Sequence, residues 1–235
     1  MTPDRPYRYY DLLMVAFAAT LLVSNLVGPG KACQIGPVVF GAGNIFFPLT
    51  YVLGDVFTEV YGYARARRAI WAGAGALVVA TVMTHVIVAL PVKPGDAYTA
   101  TLQGALAIAF DNTWRVVVAS LLAYCAGDFV NSYVLAKMKV LTRRRWLWMR
   151  TIGSTVVGQG VDSLIFYPLA FAGIWTFDTM LSIVTFNFAF KVAVEVVMTP
   201  VTYLVVSRLK RAEQEDALDV DTRFTPFSLR TGTGA

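Results

Sequence analysis

The sequence places acidic, amide and lysine side chains inside apolar segments, spaced three or four residues apart. Four such groups occur: Tyr51, Asp55 and Glu59; Tyr124, Asp128 and Asn131; Gln159 and Asp162; and Asn187, Lys191 and Glu195. Residues at these spacings share one face of a helix, so each group predicts a polar stripe. A charged side chain at the bilayer centre costs about 2.5–3.5 kcal/mol on insertion scales and therefore faces protein or water. We expect the stripes to face one another inside a helical bundle.

The composition of the stripes predicts a site for a ligand that carries hydrogen-bond donors. Five acids stand against one lysine, so some carboxyls must be protonated, paired with loop arginines, or available to a cation or a donor-rich ligand. In the alternative, purely structural reading, the polar side chains hold the helices together. Glu59 would then pair with Arg65 or Arg67, and Lys191 with Glu195. Likewise, the GQGVD segment at 158–162 is either a packing seam or one wall of a site.

Composition identifies the chain as a membrane protein. Of its 235 residues, 57% are hydrophobic and only 15% are charged, whereas soluble domains average about a quarter charged residues. Six apolar segments each provide the roughly twenty residues that a transmembrane helix needs. We predict an all-α polytopic membrane protein with helices near 10–28, 43–62, 68–92, 113–137, 152–175 and 179–208. They form one domain over 1–211, and we expect the polar tail over 212–235 to be cytoplasmic and disordered.

Lysine and arginine residues predict the orientation of the bundle. They cluster after the second, fourth and sixth predicted helices, in the segments 65–68, 137–150 and 208–211. Because cytoplasmic loops carry an excess of basic residues, we predict that both termini are cytoplasmic. The same rule accounts for the net charge of +5, so we expect no nucleic-acid partner. The first apolar segment is long for a signal peptide and lacks an A-x-A cleavage site, so we expect it to be retained.

The sequence has no pattern typical of a metal centre or a disulfide framework. Its two cysteines, Cys33 and Cys125, and its single histidine, His85, lie far apart in the chain. We predict no catalytic site, no metal site and no cofactor.

Two loops on the outer side have a distinctive composition. The Gly-rich segment 28–43 predicts a small hairpin or a re-entrant piece. The segment 99–110 is amphipathic enough to lie along the membrane interface.

Four long segments of the sequence carry a family resemblance. They are FPLTYVLGDVFTEVYGYARARRAIW, GDFVNSYVLAKMK, RTIGSTVVGQGVDSLIFYPLAF and KVAVEVVMTPVTY. They closely resemble segments of the queuosine precursor transporter family, which is grouped with the vitamin uptake transporters. The resemblance covers all six predicted helices and implies a fold similar in outline to the substrate-binding components of energy-coupling-factor (ECF) transporters. It also implies import of 7-cyano- and 7-aminomethyl-7-deazaguanine across the bacterial inner membrane for tRNA modification.

The resemblance further implies a transporter that works without an energising ATPase module. The chain itself contains no G-x-x-x-x-G-K-S/T run. We expect alternating access around a site near the middle of the membrane. The energy could come from a bound proton or from trapping of the base inside the cell, and the sequence is compatible with both. The expected partners are the 7-deazaguanine base, the lipid bilayer and a second copy of the chain in a homodimer.

The implied substrate suits the residue types of the stripes. A 7-deazaguanine keeps the Watson–Crick edge of guanine, whose two adjacent donors match a carboxylate and whose carbonyl requires a donor such as a lysine or an amide. The expected substrate-binding residues are Asp162, Gln159, Asp55, Asn187, Lys191, Asp128, Glu195, Asn131, Tyr51 and Glu59. The flat ring is expected to pack against aromatic side chains from the set Tyr51, Phe129, Phe166 and Phe186.

Three other functions are compatible with parts of the pattern. The same fold could transport another heterocycle or a vitamin, or it could be a substrate-capture subunit that needs an energising partner. Alternatively, Asp55 and Asp162 could form the dyad of an intramembrane aspartyl protease. Such proteases carry a Gly-x-Gly-Asp motif, whereas GQGVD has an extra residue, so we predict that the protein is not an enzyme.

Overall fold

The computed structural model describes residues 7–26, 32–35, 38–41, 45–110, 114–220 and 222–228. Over these ranges the chain is helical apart from one short hairpin, which confirms the predicted all-α class. The elements are α1 (Tyr10–Leu26), β1 (Ala32–Ile35), β2 (Val38–Gly41), α2 (Phe47–Val56), α3 (Tyr63–Ala89), α4 (Ala97–Phe110), α5 (Trp114–Leu141), α6 (Leu147–Phe171) and α7 (Phe177–Glu213). A π-helical turn, Phe57–Tyr61, continues α2 directly.

Three of the described helices are long and apolar enough to cross a membrane. They are Tyr63–Ala89, Arg115–Leu141 and Phe177–Glu213. The other helices are shorter or more polar: α1 has 17 residues, and α6 has 25 residues but carries a polar stripe. The protein is therefore a helical membrane protein, and the number of six spans stays a prediction.

The Gly-rich segment between α1 and α2 contains an antiparallel hairpin. β1 pairs with β2 in a register that sets Ala32 opposite Gly41. For the segment 28–43 we predicted a hairpin or a re-entrant piece, and its described residues, 32–35 and 38–41, form the hairpin. The other residues of this segment lie outside the described part of the chain.

Two glycines bring α5 and α6 close together where their polar stripes cross. A Cβ atom at Gly158 would lie 2.7 Å from the Asn131 Cβ and 2.9 Å from the Gly127 carbonyl oxygen. One at Gly127 would lie 2.9 Å from the Asp162 Cβ. Because real Cβ contacts are longer than this, the two backbones can approach so closely only with glycine at these positions. The segment that contains Gly158 is therefore a packing seam.

The other helices complete a bundle whose outer surface is apolar. α7 packs against α6 and α2, and α3 packs against α1 and α5. Large hydrophobic side chains remain exposed on α3 and α7, with Val79 and Met83 each 58% exposed and Val197 74% exposed. Exposed apolar surface on this scale is what contact with lipid requires.

One end of the bundle is rich in basic residues, and we call it the basic end. It consists of the π-helical turn, the last turns of α5 and α7 and the first turn of α6. The chain after α7 lies against it. The Asp216 carboxylate accepts hydrogen bonds from Lys139 at 2.6 Å and pairs with Lys210 at 2.8 Å. The Ala217 N–H donates to the carbonyl of Val60 in the π-helical turn at 3.2 Å.

Further along, the same tail segment caps the start of α3. The Asp219 carboxylate accepts a hydrogen bond from the Tyr63 N–H at 3.0 Å, and Trp71 donates to the Pro226 carbonyl at 2.6 Å. The sequence predicts a disordered tail over 212–235, whereas its described residues, 212–220 and 222–228, pack against the bundle. The reason is that its acids and carbonyls satisfy basic side chains and orphan backbone groups at helix ends, which composition alone does not reveal.

Candidate functional site

A cavity of about 460 Å³ lies among α1, α2, α3, α5, α6 and α7. This size is within the range of about 300–1,000 Å³ common for ligand sites. Its polar lining includes Asn25, Tyr51, His85, Tyr124, Asp128, Asn131, Ser132, Gln159, Asp162, Tyr167, Asn187 and Lys191. Each of the four polar stripes contributes side chains to this lining. Seven of the ten candidate binding residues line the cavity, and the other three, Asp55, Glu59 and Glu195, lie outside its lining.

An ion pair between α6 and α7 faces the cavity. The Lys191 ammonium lies 2.8 Å from the Asp162 carboxylate, and the two side chains remain 25% and 21% exposed. Lys191 therefore pairs across the helix interface and not with Glu195 on its own helix. Both charged groups keep free hydrogen-bonding positions, so a ligand can bind to either of them without displacing the other.

Asp128 presents a carboxyl group to the same cavity. It lies one turn after Tyr124, whose hydroxyl donates to the Ile70 carbonyl at 3.2 Å. Within the part of the chain that the structure describes, Asp128 forms no hydrogen bond or ion pair. A carboxylate in this state accepts hydrogen bonds from whatever ligand enters the cavity.

Two amide side chains border the cavity with unpaired oxygens. Gln159 is only 7% exposed, and no donor among the described residues reaches its Oε1. Asn131 donates from Nδ2 to the Asp55 Oδ1 at 3.2 Å, and its own Oδ1 has no donor among those residues. Buried oxygens of this kind are normally satisfied by a ligand or an ordered water. Gln159 and Asp162 line the cavity, while Gly158 packs against α5. The GQGVD segment is therefore both a helix-packing seam and one wall of the cavity.

Asp55 and Glu195 lie behind the cavity wall, in the interface between α2 and α7. Their side chains are 1% and 0% exposed. Asp55 is linked to the cavity through its hydrogen bond with Asn131. Neither oxygen of Glu195 receives a hydrogen bond from the described N–H and O–H donors.

Glu59 lies at the basic end, where it joins four elements. Its fully buried carboxylate is 2.7 Å from Lys210, 2.9 Å from Arg150 and 3.6 Å from Lys139. Lys139 also donates to the Glu59 backbone carbonyl at 2.6 Å. The π-helical turn places both the carboxylate and this carbonyl toward the cations of α5, α6 and α7. The sequence suggested Arg65 or Arg67 as its partner, and the structure provides these three cations instead.

The aromatic candidates are divided between the cavity and other surroundings. Tyr51 and Phe166 line the cavity. Phe129 packs against Trp71, with ring centroids 5.6 Å apart, and Phe186 is 59% exposed on the outer surface of α7. Tyr51 and Phe166 are therefore the candidates placed to contact a flat ring.

The sequence reasoning missed lining residues, two of which a longer pattern could have found. Thr155 precedes Gln159 by four positions, and Ser132 follows Asp128 by four. Extending each stripe by one helical turn predicts both. Tyr167 also lines the cavity, five residues after Asp162 and directly before Pro168. A tyrosine within an apolar run resembles a lipid-facing or core aromatic residue, so the sequence does not mark Tyr167 as a lining residue.

Comparison with known proteins places the chain among transporters. The vitamin uptake transporter family matches residues 41–205. A protein of Bacillus subtilis (strain 168) described as "Probable queuosine precursor transporter" is 33% identical over 175 residues, which cover 74% of this chain and 74% of the relative. The "Queuosine precursor transporter" of Escherichia coli (strain K12) is 28% identical over 160 residues, covering 66% and 67%. No solved structure matches the chain. With most of its length matched, the chain belongs to the vitamin uptake transporter family.

Proposed function

We propose that the protein imports 7-deazaguanine precursors of queuosine, the 7-cyano form, the 7-aminomethyl form or both, for tRNA modification. Two relatives that share 33% and 28% of aligned residues are named for queuosine precursor transport. The segments that resemble this family lie on helices whose polar stripes line one cavity. Family and site therefore support the same substrate class.

The observation that carries the proposal is a free carboxylate beside an ion pair in one cavity. The Asp128 carboxylate accepts the ring N–H and the exocyclic amine of the base, in charge-assisted hydrogen bonds. Lys191 and Asn187 are the donors for the carbonyl oxygen on the same edge. Tyr51 and Phe166 pack against the flat ring.

The substituent at position 7 gives Asp162 a second role. The aminomethyl group is a cation, and a second acid, other than the one that accepts the guanine edge, would stabilise its charge. Asp162 lines the cavity with a carboxylate that is shared with Lys191. We propose that Asp162 receives this cation, while the uncharged cyano group leaves the ion pair intact.

We further propose that six helices, all except α4, cross the bacterial inner membrane with both termini in the cytoplasm. The 37 residues of α7 correspond to about 55 Å of helix, which exceeds the roughly 30 Å of hydrocarbon. The basic last turns of α7 then extend into the cytoplasm, as the positive-inside rule requires. None of the residues of α4 is buried in the bundle, and we propose that this helix lies along the outer interface of the membrane.

In this orientation the protein has a cavity toward the outside and a closed cytoplasmic end. Asn25 and His85, near the outer ends of α1 and α3, line the cavity. At the other end, Glu59 and its three cations close the bundle. Alternating access requires these ion pairs to separate when the base is released inward.

A binding titration with the purified protein tests the substrate. We expect saturable binding of the cyano and aminomethyl bases, and a Kd about 10–100-fold higher in Asp128→Asn, because a hydrogen bond to a charged group contributes about 1.5–3 kcal/mol. Asp178→Asn, on an exposed position in the first turn of α7, is the matched control. Guanine tests the contribution of the substituent at position 7. Absence of binding in folded protein would refute the proposed substrate.

The main alternative is transport of another heterocycle or a vitamin by the same fold. The family description names vitamins, and a largely apolar cavity of about 460 Å³ also accepts other flat ligands. A screen of vitamins follows if both deazaguanines fail to bind. Uptake by the lone protein in liposomes excludes a capture subunit that needs a partner, and the mass of the purified particle tests the expected homodimer.

A further inference from the structure

Two buried acids lie between the cavity and the basic end, and we call Asp55 and Glu195 the acid pair. They are 1% and 0% exposed, and they lie close to each other across the interface of α2 and α7. On α2, Asp55 lies one turn after Tyr51, which lines the cavity, and one turn before Glu59 at the basic end.

The acid pair lacks the donors that two ionised carboxylates need. One oxygen of Asp55 accepts the hydrogen bond of Asn131 at 3.2 Å. The other oxygen of Asp55 and both oxygens of Glu195 receive no hydrogen bond from the N–H and O–H donors of the described residues. Two carboxylates in contact repel each other, and burial increases the cost of each charge. One proton shared between them removes one charge and supplies the missing donor.

The surrounding charges do not neutralise the acid pair. Glu59, from the π-helical turn, and Asp128, from α5, are the other ionisable groups that act on Asp55, and both are acids. The nearest lysines of α7, Lys191 and Lys210, pair with Asp162 and Glu59. α1 packs against α2 but contributes only Asp11, an exposed residue of its first turn. Among the described residues, the acid pair therefore faces acids or cations that have other partners.

We propose that the acid pair is a proton-binding site that couples import of the base to the proton gradient. This inference rests on the proposed import function and adds its source of energy. A proton enters from the outer side through the cavity, beside which the hydrogen bond from Asn131 holds Asp55. It is released to the cytoplasm when the basic end opens. Each uncharged base then moves inward together with one proton, so one positive charge crosses the membrane per base.

The position of the acid pair makes such coupling physically possible. When protonated, the pair holds α2 and α7 together by a hydrogen bond, and when deprotonated it pushes them apart. Glu59 on the same α2 stripe and Lys210 on α7 join the same two elements at the basic end, 2.7 Å apart. Opening of the cytoplasmic end separates these two elements, so it breaks the shared hydrogen bond and releases the proton inward.

Uptake into liposomes measures the coupling directly. The reconstituted protein is given radiolabelled 7-cyano-7-deazaguanine with an acidic exterior. We expect accumulation of about tenfold per unit of pH difference at zero membrane potential, and its loss with a protonophore. Glu195→Gln is expected to reduce accumulation to equilibration while base binding and exchange remain, and Glu195→Asp to restore it. Asp178→Asn, an exposed carboxylate on the same helix, is the control.

A second measurement is independent of the substrate. Infrared spectra of the wild-type protein are expected to contain a protonated-carboxyl band at neutral pH that is lost in Glu195→Gln. If no base binds but the band behaves in this way, the proposed function fails and the proton site stands. Absence of the band, uptake driven by sodium at equal pH, or full accumulation by Glu195→Gln would overturn the inference.

Discussion

At the residue scale, the donors around each buried acid decide what it can do. Asp162 shares one lysine and remains open to the cavity. Glu59 is held by three cations and is closed to it. Asp128 has no partner among the described residues, which leaves it available to a ligand. In the sequence these acids look alike, and only their partners in the structure distinguish the roles that we propose for them.

The network around Glu59 predicts a large loss of stability on neutralisation. Glu59→Gln leaves Lys139, Arg150 and Lys210 close together without their shared anion, and breaking a buried pair costs about 3–5 kcal/mol. We expect the thermal midpoint in detergent to fall by roughly 10 °C. Asp178→Asn should leave the midpoint unchanged. An unaltered midpoint in Glu59→Gln would show that the three cations do not depend on this carboxylate.

Replacement of Lys191 should change the preference between the two bases. Lys191→Met removes the partner of Asp162, which lies 2.8 Å away. The ammonium of the aminomethyl base can take its place, whereas the cyano base cannot. We expect the Kd of the cyano base to rise about 10-fold or more, and that of the aminomethyl base to rise much less. Titration of both bases measures the ratio, and an equal loss for both would contradict the assigned role of Asp162.

At the element scale, the sequence predicts the long apolar helices and the helix faces that carry the site. Apolar runs and three- or four-residue spacings are local properties, so the stripes on α2, α5, α6 and α7 could be recognised without a structure. The separate helix α4 was predicted only as an amphipathic segment over 99–110, and the π-helical turn was not predicted. Within the turn, the Glu59 carbonyl accepts a hydrogen bond from Lys139, a contact across 80 residues that no local pattern contains.

The α5–α6 seam predicts that Gly158 cannot be enlarged. In Gly158→Ala the new methyl group would lie 2.7 Å from the Asn131 Cβ and 2.9 Å from a backbone oxygen of α5. Overpacking costs about 1–3 kcal/mol, so we expect a lower thermal midpoint and weaker base binding, because Asn131 and Asp162 shift apart. Gly75→Ala on α3, with open space around it, should be neutral or slightly stabilising. Equal midpoints for the two variants would refute the close approach.

At the scale of the whole molecule, the closure of the basic end is the feature that sequence reasoning could not provide. The tail reads as a solvated acidic segment because its composition is polar. In the structure, Asp216 and Asp219 reach Lys139 and the Tyr63 N–H, which lie 77 and 156 residues away in the chain. Charge complementarity between distant segments has no periodic signature, so it becomes visible only when the helices are assembled.

The tail contact should depend on pH in a defined direction. Partial burial alone would raise the pKa of Asp216, but hydrogen bonds and charges from Lys139 and Lys210 outweigh it and lower that pKa below its ordinary value. A carboxyl whose pKa is lowered by folding stabilises the folded form above its ordinary pKa, and this contribution is lost as the pH falls through the lowered value. We therefore expect the amides of residues 214–220 to be protected at neutral pH, relative to the intrinsic exchange rate at that pH, and to lose this protection in strong acid. Asp216→Asn should lack the protection at both pH values, with Asp178→Asn as the control. Slow exchange in Asp216→Asn at neutral pH would mean that the backbone bond from Ala217 to Val60 holds the tail alone.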